Sequence, residues 1–197
     1  MRREFNEIIA RMVRAIESGN VPTWEKPWVD AGGVYPDAIH EAPHIDAVID
    51  RYYQREKIGR HDCEQNGSYY APDADAITLP LPKQFVSIDA YNAVRAHETI
   101  HSTGDYTRCN RETFNEYKSF RFGDIRYTRE ELVAELGACF LLASLGLDTS
   151  FAERNATAYI ANWLTQLNNN TYWIYRASAL AEEAVEYILE IAGEVVE

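Results

Sequence analysis

A chain of 197 residues, 46% of them hydrophobic and 25% charged, is long and apolar enough for one compact domain with a substantial core. Its net charge of −12, with only 4 lysines, repels phosphate backbones and argues against strong electrostatic binding of nucleic acid. No apolar run reaches about 18 residues, and acidic residues interrupt the stretch where a secretory leader would be apolar, so we expect a cytoplasmic protein without a membrane span.

The N-terminal part is predicted to hold two amphipathic helices joined by an irregular connection. Apolar residues recur at helical spacing over residues 4–18 and again over 44–57. Residues 22–28 contain two prolines and two tryptophans, which predict a rigid aromatic loop because proline is incompatible with regular structure there. We expect this loop to serve in packing, and an exposed stacking surface is the alternative.

A two-stranded antiparallel ribbon is predicted next. The turn sequence Asn66-Gly67 precedes residues 69–79, which are rich in strand-forming side chains. Pro80 and Pro82 cannot donate hydrogen bonds to a strand ladder. The second strand is therefore expected to be short or to lie at an edge of the sheet.

The rest of the chain is predicted to be helical. A central helix begins at the N-cap residue Ser87 and ends at Gly104. Three further helices are expected at 130–145, 151–167 and 172–195. With the ribbon, these elements predict an α+β fold that is mostly helical and has a small antiparallel sheet beside the central helix.

The central helix carries the sequence His-Glu-Thr-Ile-His at 97–101. Residues four apart in a helix lie on nearly the same face, separated by about 6 Å of rise and about 40° of rotation, so His97 and His101 can bind one metal ion. Glu98, about 100° further round the helix, can instead reach water in an open metal position. The motif predicts a zinc-activated hydrolase. The alternative is a helix that carries two histidines for packing.

Two histidines leave a catalytic zinc ion short of one protein ligand. The three cysteines are widely spaced, without a Cys-x-x-Cys pair, so no thiolate site is expected. The pattern His-Glu-x-x-His-x-x-Gly-x-x-His fails because its last position is Thr107, which leaves Asp105 as a nearby alternative. We favour Glu131 on the next helix as the metal ligand, with Glu135 as hydrogen-bond partner of a ligating histidine or as the alternative ligand. Thr128-Arg-Glu-Glu131 also fits a capping box, in which Glu131 would only hold the helix start.

With such a site, Glu98 is the predicted general base for a metal-activated water that attacks a peptide carbonyl. The developing oxyanion needs a further hydrogen-bond donor, and the sequence does not choose among Tyr106, Tyr127, Tyr117 and His61. The edge of the ribbon could hold an extended peptide through main-chain hydrogen bonds, or it could be an ordinary sheet edge.

Three sequence stretches, taken together, point to a family more specifically than the zinc-binding motif alone. They are Tyr-Tyr-Ala-Pro-Asp-Ala-Asp-Ala-Ile-Thr-Leu-Pro at 69–80, Ala-His-Glu-Thr-Ile-His-Ser-Thr-Gly at 96–104 and Tyr-Thr-Arg-Glu-Glu-Leu-Val-Ala-Glu-Leu-Gly-Ala at 127–138. Together with the last two helices they resemble the zincin-like metallopeptidase domain of ArdC-type antirestriction proteins of plasmids and phages. The resemblance implies a zincin-like fold, a zinc ion, and the roles given above to His97, Glu98, His101 and Glu131.

The same resemblance suggests a domain organisation. Residues 1–60 are expected to form a helical and irregular segment, a remnant of the family's N-terminal domain for single-stranded DNA, and 61–197 the zincin-like domain. The leading hypothesis is a cytoplasmic zinc metallopeptidase of a mobile element or phage, with a protein or peptide substrate and a role against host defence. The alternative is a zinc-stabilised, non-proteolytic module that binds protein or DNA.

Overall fold

The computed structural model describes residues 2–36, 43–117, 125–166 and 172–194, and these contain seven α-helices and one three-stranded sheet. The elements are, in chain order, α1 (Arg3–Glu17), α2 (Pro43–Glu56), β1 (Gly59–Cys63), β2 (Tyr69–Ala71), β3 (Ala76–Pro80), α3 (Ile88–Ser102), α4 (Glu112–Tyr117), α5 (Ile125–Ser144), α6 (Ser150–Gln166) and α7 (Tyr172–Ala192). The predicted class, a mostly helical α+β fold with a small sheet, is confirmed.

Helix α5 is the centre of the fold, because it packs against α3, α4, α6 and α7. Almost every described side chain on it is buried, as a helix surrounded by other helices requires. Gly137 of α5 lies against α3, and a Cβ at this position would approach the Ile100 side chain to 2.8 Å. Glycine therefore permits the close approach of α3 and α5. Although α5 is buried, no helix in the described ranges has both the length and the apolar character needed to cross a bilayer.

A partly buried ion-pair cluster joins α2 to α3. The Arg95 guanidinium of α3 is fully buried and donates to the carboxylates of Asp46 and Asp50 on α2. Arg51 of α2 also donates to the carbonyl oxygen of Ala192 at the end of α7, at 2.9 Å. Helix α3 thus packs on α5 and is also joined to α2 by ion pairs.

Helix α1 packs against α5 and α6. Phe5 stacks on Phe140 with ring centroids 4.2 Å apart, and Arg11 forms an ion pair with Glu153 at 2.7 Å. The described N-terminal residues therefore contribute to the core. The domain boundary placed at residue 60 stays a prediction.

The sheet has the strand order β1-β3-β2. Strands β2 and β3 are antiparallel, as predicted, but β1 pairs in parallel with β3, so the sheet is mixed rather than purely antiparallel. The short strand β3 is therefore central and not at an edge. Pro80 is tolerated because it is the last residue of β3, and the next amide, of Leu81, donates to the Cys63 carbonyl at 3.1 Å.

The predicted start of α3 is confirmed, whereas α5 begins earlier than predicted. Ser87 caps α3, since its hydroxyl oxygen accepts a hydrogen bond from the Ala90 amide at 3.1 Å. Helix α5 begins at Ile125, earlier than expected, so Thr128 lies inside the helix. The capping-box interpretation of Thr128 and Glu131 is therefore wrong, and Glu131 does not serve to hold a helix start.

Candidate metal centre

Helices α3 and α5 bring three potential metal ligands together. The Nε2 atoms of His97 and His101 on α3 are 3.1 Å apart. The Glu131 carboxylate of α5 approaches both, with one oxygen 3.6 Å from His97 Nε2 and the other 3.5 Å from His101 Nε2. Among the described residues this is the one cluster of His, Cys, Asp or Glu side chains able to hold a metal ion, with all ligand atoms within 4.8 Å of one another.

These distances fit a divalent cation. Ligand atoms bound to tetrahedral zinc at about 2.0–2.1 Å lie about 3.3–3.5 Å from one another. Both His101 and Glu131 are buried, which orders the donors before binding. Imidazole and carboxylate ligands suit zinc, manganese and other transition metals, so the donor set fits a divalent metal without selecting one.

Two more carboxylates surround His97. One oxygen of Glu135 lies 3.8 Å from His97 Nδ1, and Glu98 is 5% exposed. Burial alone would lower the pKa of His97, but the carboxylates of Glu131, Glu135 and Glu98 outweigh it and raise the pKa to about 10. Burial, with repulsion from Glu131 and Glu98, raises the pKa of Glu135 to about 6. The centre therefore concentrates negative charge that a bound cation would offset.

A buried network on the far side of His101 was missed by the sequence analysis. Glu130 is fully buried, and its carboxylate lies 3.4 Å from His101 Nδ1. Arg111 donates to Glu130 through Nη2 at 2.6 Å and Nε at 3.3 Å, and also to the Ile100 carbonyl of α3 at 2.9 Å. The Thr113 hydroxyl donates to the second Glu130 oxygen at 2.6 Å.

This network determines the state of Glu130. Burial would raise the pKa of Glu130, but the Arg111 guanidinium and the hydrogen bond with His101 hold it at about 2. An ionised Glu130 can accept a hydrogen bond from His101 Nδ1–H, and in that tautomer the Nε2 lone pair can bind a metal ion. The adjacent acids Glu130 and Glu131 thus face opposite sides of one imidazole.

The three candidate ligands, Glu98 and Glu135 line a cavity of about 670 Å³. That volume is within the range of small-molecule and substrate sites in proteins. Glu98 follows His97 in the chain and is buried, and it borders the space that water or substrate would fill. The geometry is therefore compatible with a base beside an accessible metal position.

Of the predicted oxyanion donors, the two whose side chains the structure describes, Tyr106 and His61, are not among the residues that line the cavity. Tyr106 is 72% exposed and is not among the described residues that line the cavity. The side chains of Tyr127 and Tyr117 lie outside the described part of the chain. His61 lies on β1, across the sheet from β2. These assignments stay predictions.

Two other tyrosines line the cavity, and Asp105 has a role in its own loop. The cavity wall carries the phenols of Tyr69 and Tyr159, which the sequence analysis did not consider because they lie far from the histidines in the chain. Asp105 accepts hydrogen bonds from the backbone amide and the hydroxyl of Thr107, at 3.0 and 2.9 Å. It thus stabilises its own loop.

Comparisons with known proteins agree with the predicted family. A family model described as zincin-like metallopeptidase matches residues 47–180. The DNA primase TraC of Escherichia coli is 32% identical over 152 residues, which is 77% of this chain and 13% of TraC. The uncharacterised protein y4eC of Sinorhizobium fredii strain NBRC 101917 / NGR234 is 32% identical over 129 residues, 64% of this chain and 40% of that protein. The chain therefore spans less than half the length of these relatives.

Solved structures give the same result. The Mn(II)-bound crystal structure of the antirestriction protein ArdC from plasmid R388 superposes with a TM-score of 0.60 at 31% identity, covering 80% of this chain and 55% of ArdC. The metal-free ArdC structure gives a TM-score of 0.57 at 29% identity, covering 85% and 56%. The resemblance predicted from the sequence is confirmed, and because the family model matches well over half of its residues, the chain belongs to the zincin-like metallopeptidase family.

Proposed function

We propose that this chain is a zinc-dependent metallopeptidase of the gluzincin type, in which His97, His101 and Glu131 bind zinc and Glu98 is the general base. The observation that carries the proposal is the convergence of two imidazoles and a carboxylate at 3.1–3.6 Å, beside a cavity that Glu98 also lines. A bound zinc ion would activate water and polarise the scissile carbonyl.

The protein side chains supply the proton transfers and the orientation. Glu98 accepts the proton of the attacking water and returns it to the leaving amine. Glu130 and Glu135 lie against the Nδ1 atoms of His101 and His97, at 3.4 and 3.8 Å, and orient the two rings.

The substrate in this proposal is an extended peptide. Strand β2 is an outer strand of the sheet, and Ser68 and Tyr69 at its start line the cavity. An extended segment can pair with such an edge through main-chain hydrogen bonds. The sheet edge would then direct a peptide bond towards the metal centre.

The test compares zinc-loaded wild-type protein with Glu98→Gln, using casein and a mixed peptide library. Glu98→Gln should bind zinc stoichiometrically and lose peptide cleavage by at least about 100-fold, because it keeps the ligands and removes the base. The matched control is Glu190→Gln, an exposed position on α7, which should cleave normally. Undiminished cleavage by Glu98→Gln would refute the mechanism.

A second candidate is a metal-stabilised binding module without hydrolysis. It is favoured by one observation, that the ligands come from α3 and α5, two packed helices of the core, so a metal ion would cross-link them. Stoichiometric zinc and a raised melting temperature, without cleavage of any substrate in the library, would select this candidate.

We also propose that the chain acts in the cytoplasm against a host restriction system, because its structural neighbour ArdC is named an antirestriction protein. The experiment transfers an unmodified plasmid into a restricting host that expresses the chain or Glu98→Gln. Protection by both proteins would support metal-dependent binding, whereas protection by wild type alone would support hydrolysis. Equal transfer with and without the chain would contradict the role.

A further inference from the structure

The wall of the cavity includes a segment outside the matched family region. The family model begins at residue 47, yet Pro22, Trp24, Pro27 and Trp28 line the same cavity as the candidate ligands. We call residues 22–28 the tryptophan loop. Its aromatic side chains are therefore part of the surface that a substrate at the metal centre would meet.

The tryptophan loop is fixed at both flanks. On one side, the Asn155 side chain of α6 accepts from the Glu25 amide at 2.9 Å and donates to the Glu25 carbonyl at 2.8 Å. On the other side, the Val86 amide donates to the Pro27 carbonyl at 2.9 Å, and Trp28 packs edge-on against Phe85 with ring centroids 6.1 Å apart. These contacts hold the tryptophan loop in place as part of the cavity wall.

The remaining lining is mostly apolar, with three glutamates, the two histidines and the polar residues Ser68, Asn155 and Asn162. Helices α3 and α6 and strand β2 contribute apolar and aromatic side chains: Ala93, Val94, Phe151, Ala152, Ala158 and Tyr69. The charged lining residues in the described ranges are Glu98, Glu131 and Glu135, with no lysine or arginine among them. A phosphate group or an acidic side chain would face carboxylates there, whereas an uncharged apolar side chain would meet complementary surface.

We propose that the tryptophan loop forms the pocket for a substrate side chain and selects a bulky apolar residue, aromatic or branched aliphatic, next to the scissile bond. This inference rests on the proposed metallopeptidase function and names its substrate class. Trp24 is the main contact, because its side chain is 49% exposed and lines the cavity. A half-exposed indole can bury large area against a ligand at a small cost in side-chain entropy.

The experiment measures binding of two zinc-directed probes, a phenylalanyl hydroxamate and an alanyl hydroxamate, to the zinc-loaded full chain by calorimetry. Wild type should bind the phenylalanyl probe at least about tenfold more tightly. Trp24→Ala should reduce this preference to about threefold or less, and Trp24→Phe should retain most of it. Zinc affinity should be the same in all three proteins, because Trp24 is not a ligand.

Tyr175→Ala is the matched control, since Tyr175 is a 54% exposed aromatic residue on α7 outside the described cavity lining. It should leave the preference unchanged. Equal binding of the two probes by wild type, or an unchanged preference in Trp24→Ala, would overturn the inference. Selective probe binding without cleavage of any peptide would support the pocket and count against hydrolysis. Cleavage of peptides without any preference between side chains would support hydrolysis and count against the pocket.

Discussion

The two histidines of the metal centre lie in different surroundings. His101 is 2% exposed, and its Nδ1 partner, Glu130, is compensated by the Arg111 guanidinium. His97 is 17% exposed, and its Nδ1 partner, Glu135, lies among other carboxylates with a pKa raised by burial to about 6. The inner half of the centre, His101 with Glu130 and Arg111, is thus charge-balanced and part of the core, while the cavity half, His97 with the carboxylates beside it, holds more negative than positive charge. We infer that the inner half stabilises the fold and that the cavity half responds to the metal.

Replacing Arg111 should have the largest effect on the free energy of unfolding. Arg111→Met leaves Glu130 buried beside His101 without its guanidinium, and breaking one partner of a buried pair costs about 3–5 kcal/mol of unfolding free energy. Urea unfolding of the metal-free protein measures this. Arg11→Met is the control, because its ion pair with Glu153 is partly exposed and should contribute about 1 kcal/mol or less. Equal losses in the two variants would contradict the stabilising role of the inner half.

Zinc should stabilise the protein through the cavity half. Zinc at about 100 times its dissociation constant should add about 2.7 kcal/mol to the free energy of unfolding, and excess chelator should remove this gain. Thermal unfolding with and without zinc measures the effect. Since His97→Ala removes a ligand but leaves the Glu130 network in place, it should fold without zinc and gain little from adding it. A full zinc response in His97→Ala would show that His97 is not a ligand.

The smallest effect on stability is expected for a substitution of Glu135. Glu135→Gln keeps the shape of the side chain and removes a charge that orients His97, so zinc affinity should fall about tenfold. Because Glu98 and Glu131 remain beside His97, metal-free stability should change by about 1 kcal/mol or less. Competition with a fluorescent zinc chelator gives the affinity. If Glu135→Gln lost zinc completely, Glu135 rather than Glu131 would be the third ligand.

The parts of the fold that depend on local spacing could be predicted. His97 and His101 are four residues apart in a helix, so their convergence follows from helix geometry alone. The helix cap at Ser87 and the antiparallel pairing of β2 with β3 are also local, and both are confirmed. Strand β1 was missed because it pairs in parallel with β3 across a connection, and its polar sequence shows no alternation of apolar residues.

Other features depended on which faces of distant elements meet. Glu130 and Glu131 are neighbours about 100° apart on α5, and the sequence does not show that one reaches Nδ1 and the other Nε2 of the same histidine. Likewise, the tryptophan loop joins the cavity through hydrogen bonds to Asn155, 130 residues further along the chain. No periodicity in the sequence encodes such a contact.

The sequence by itself determined the paired histidines, the glutamate between them and the family, because these depend on residues within one helical turn and on short continuous motifs. Tertiary structure alone decided which acid approaches the histidines, how Arg111 balances the buried charge, and which aromatic residues border the cavity. These features arise from packing between α3, α5 and α6, where burial and charge compensation depend on residues that the chain brings together only when it folds.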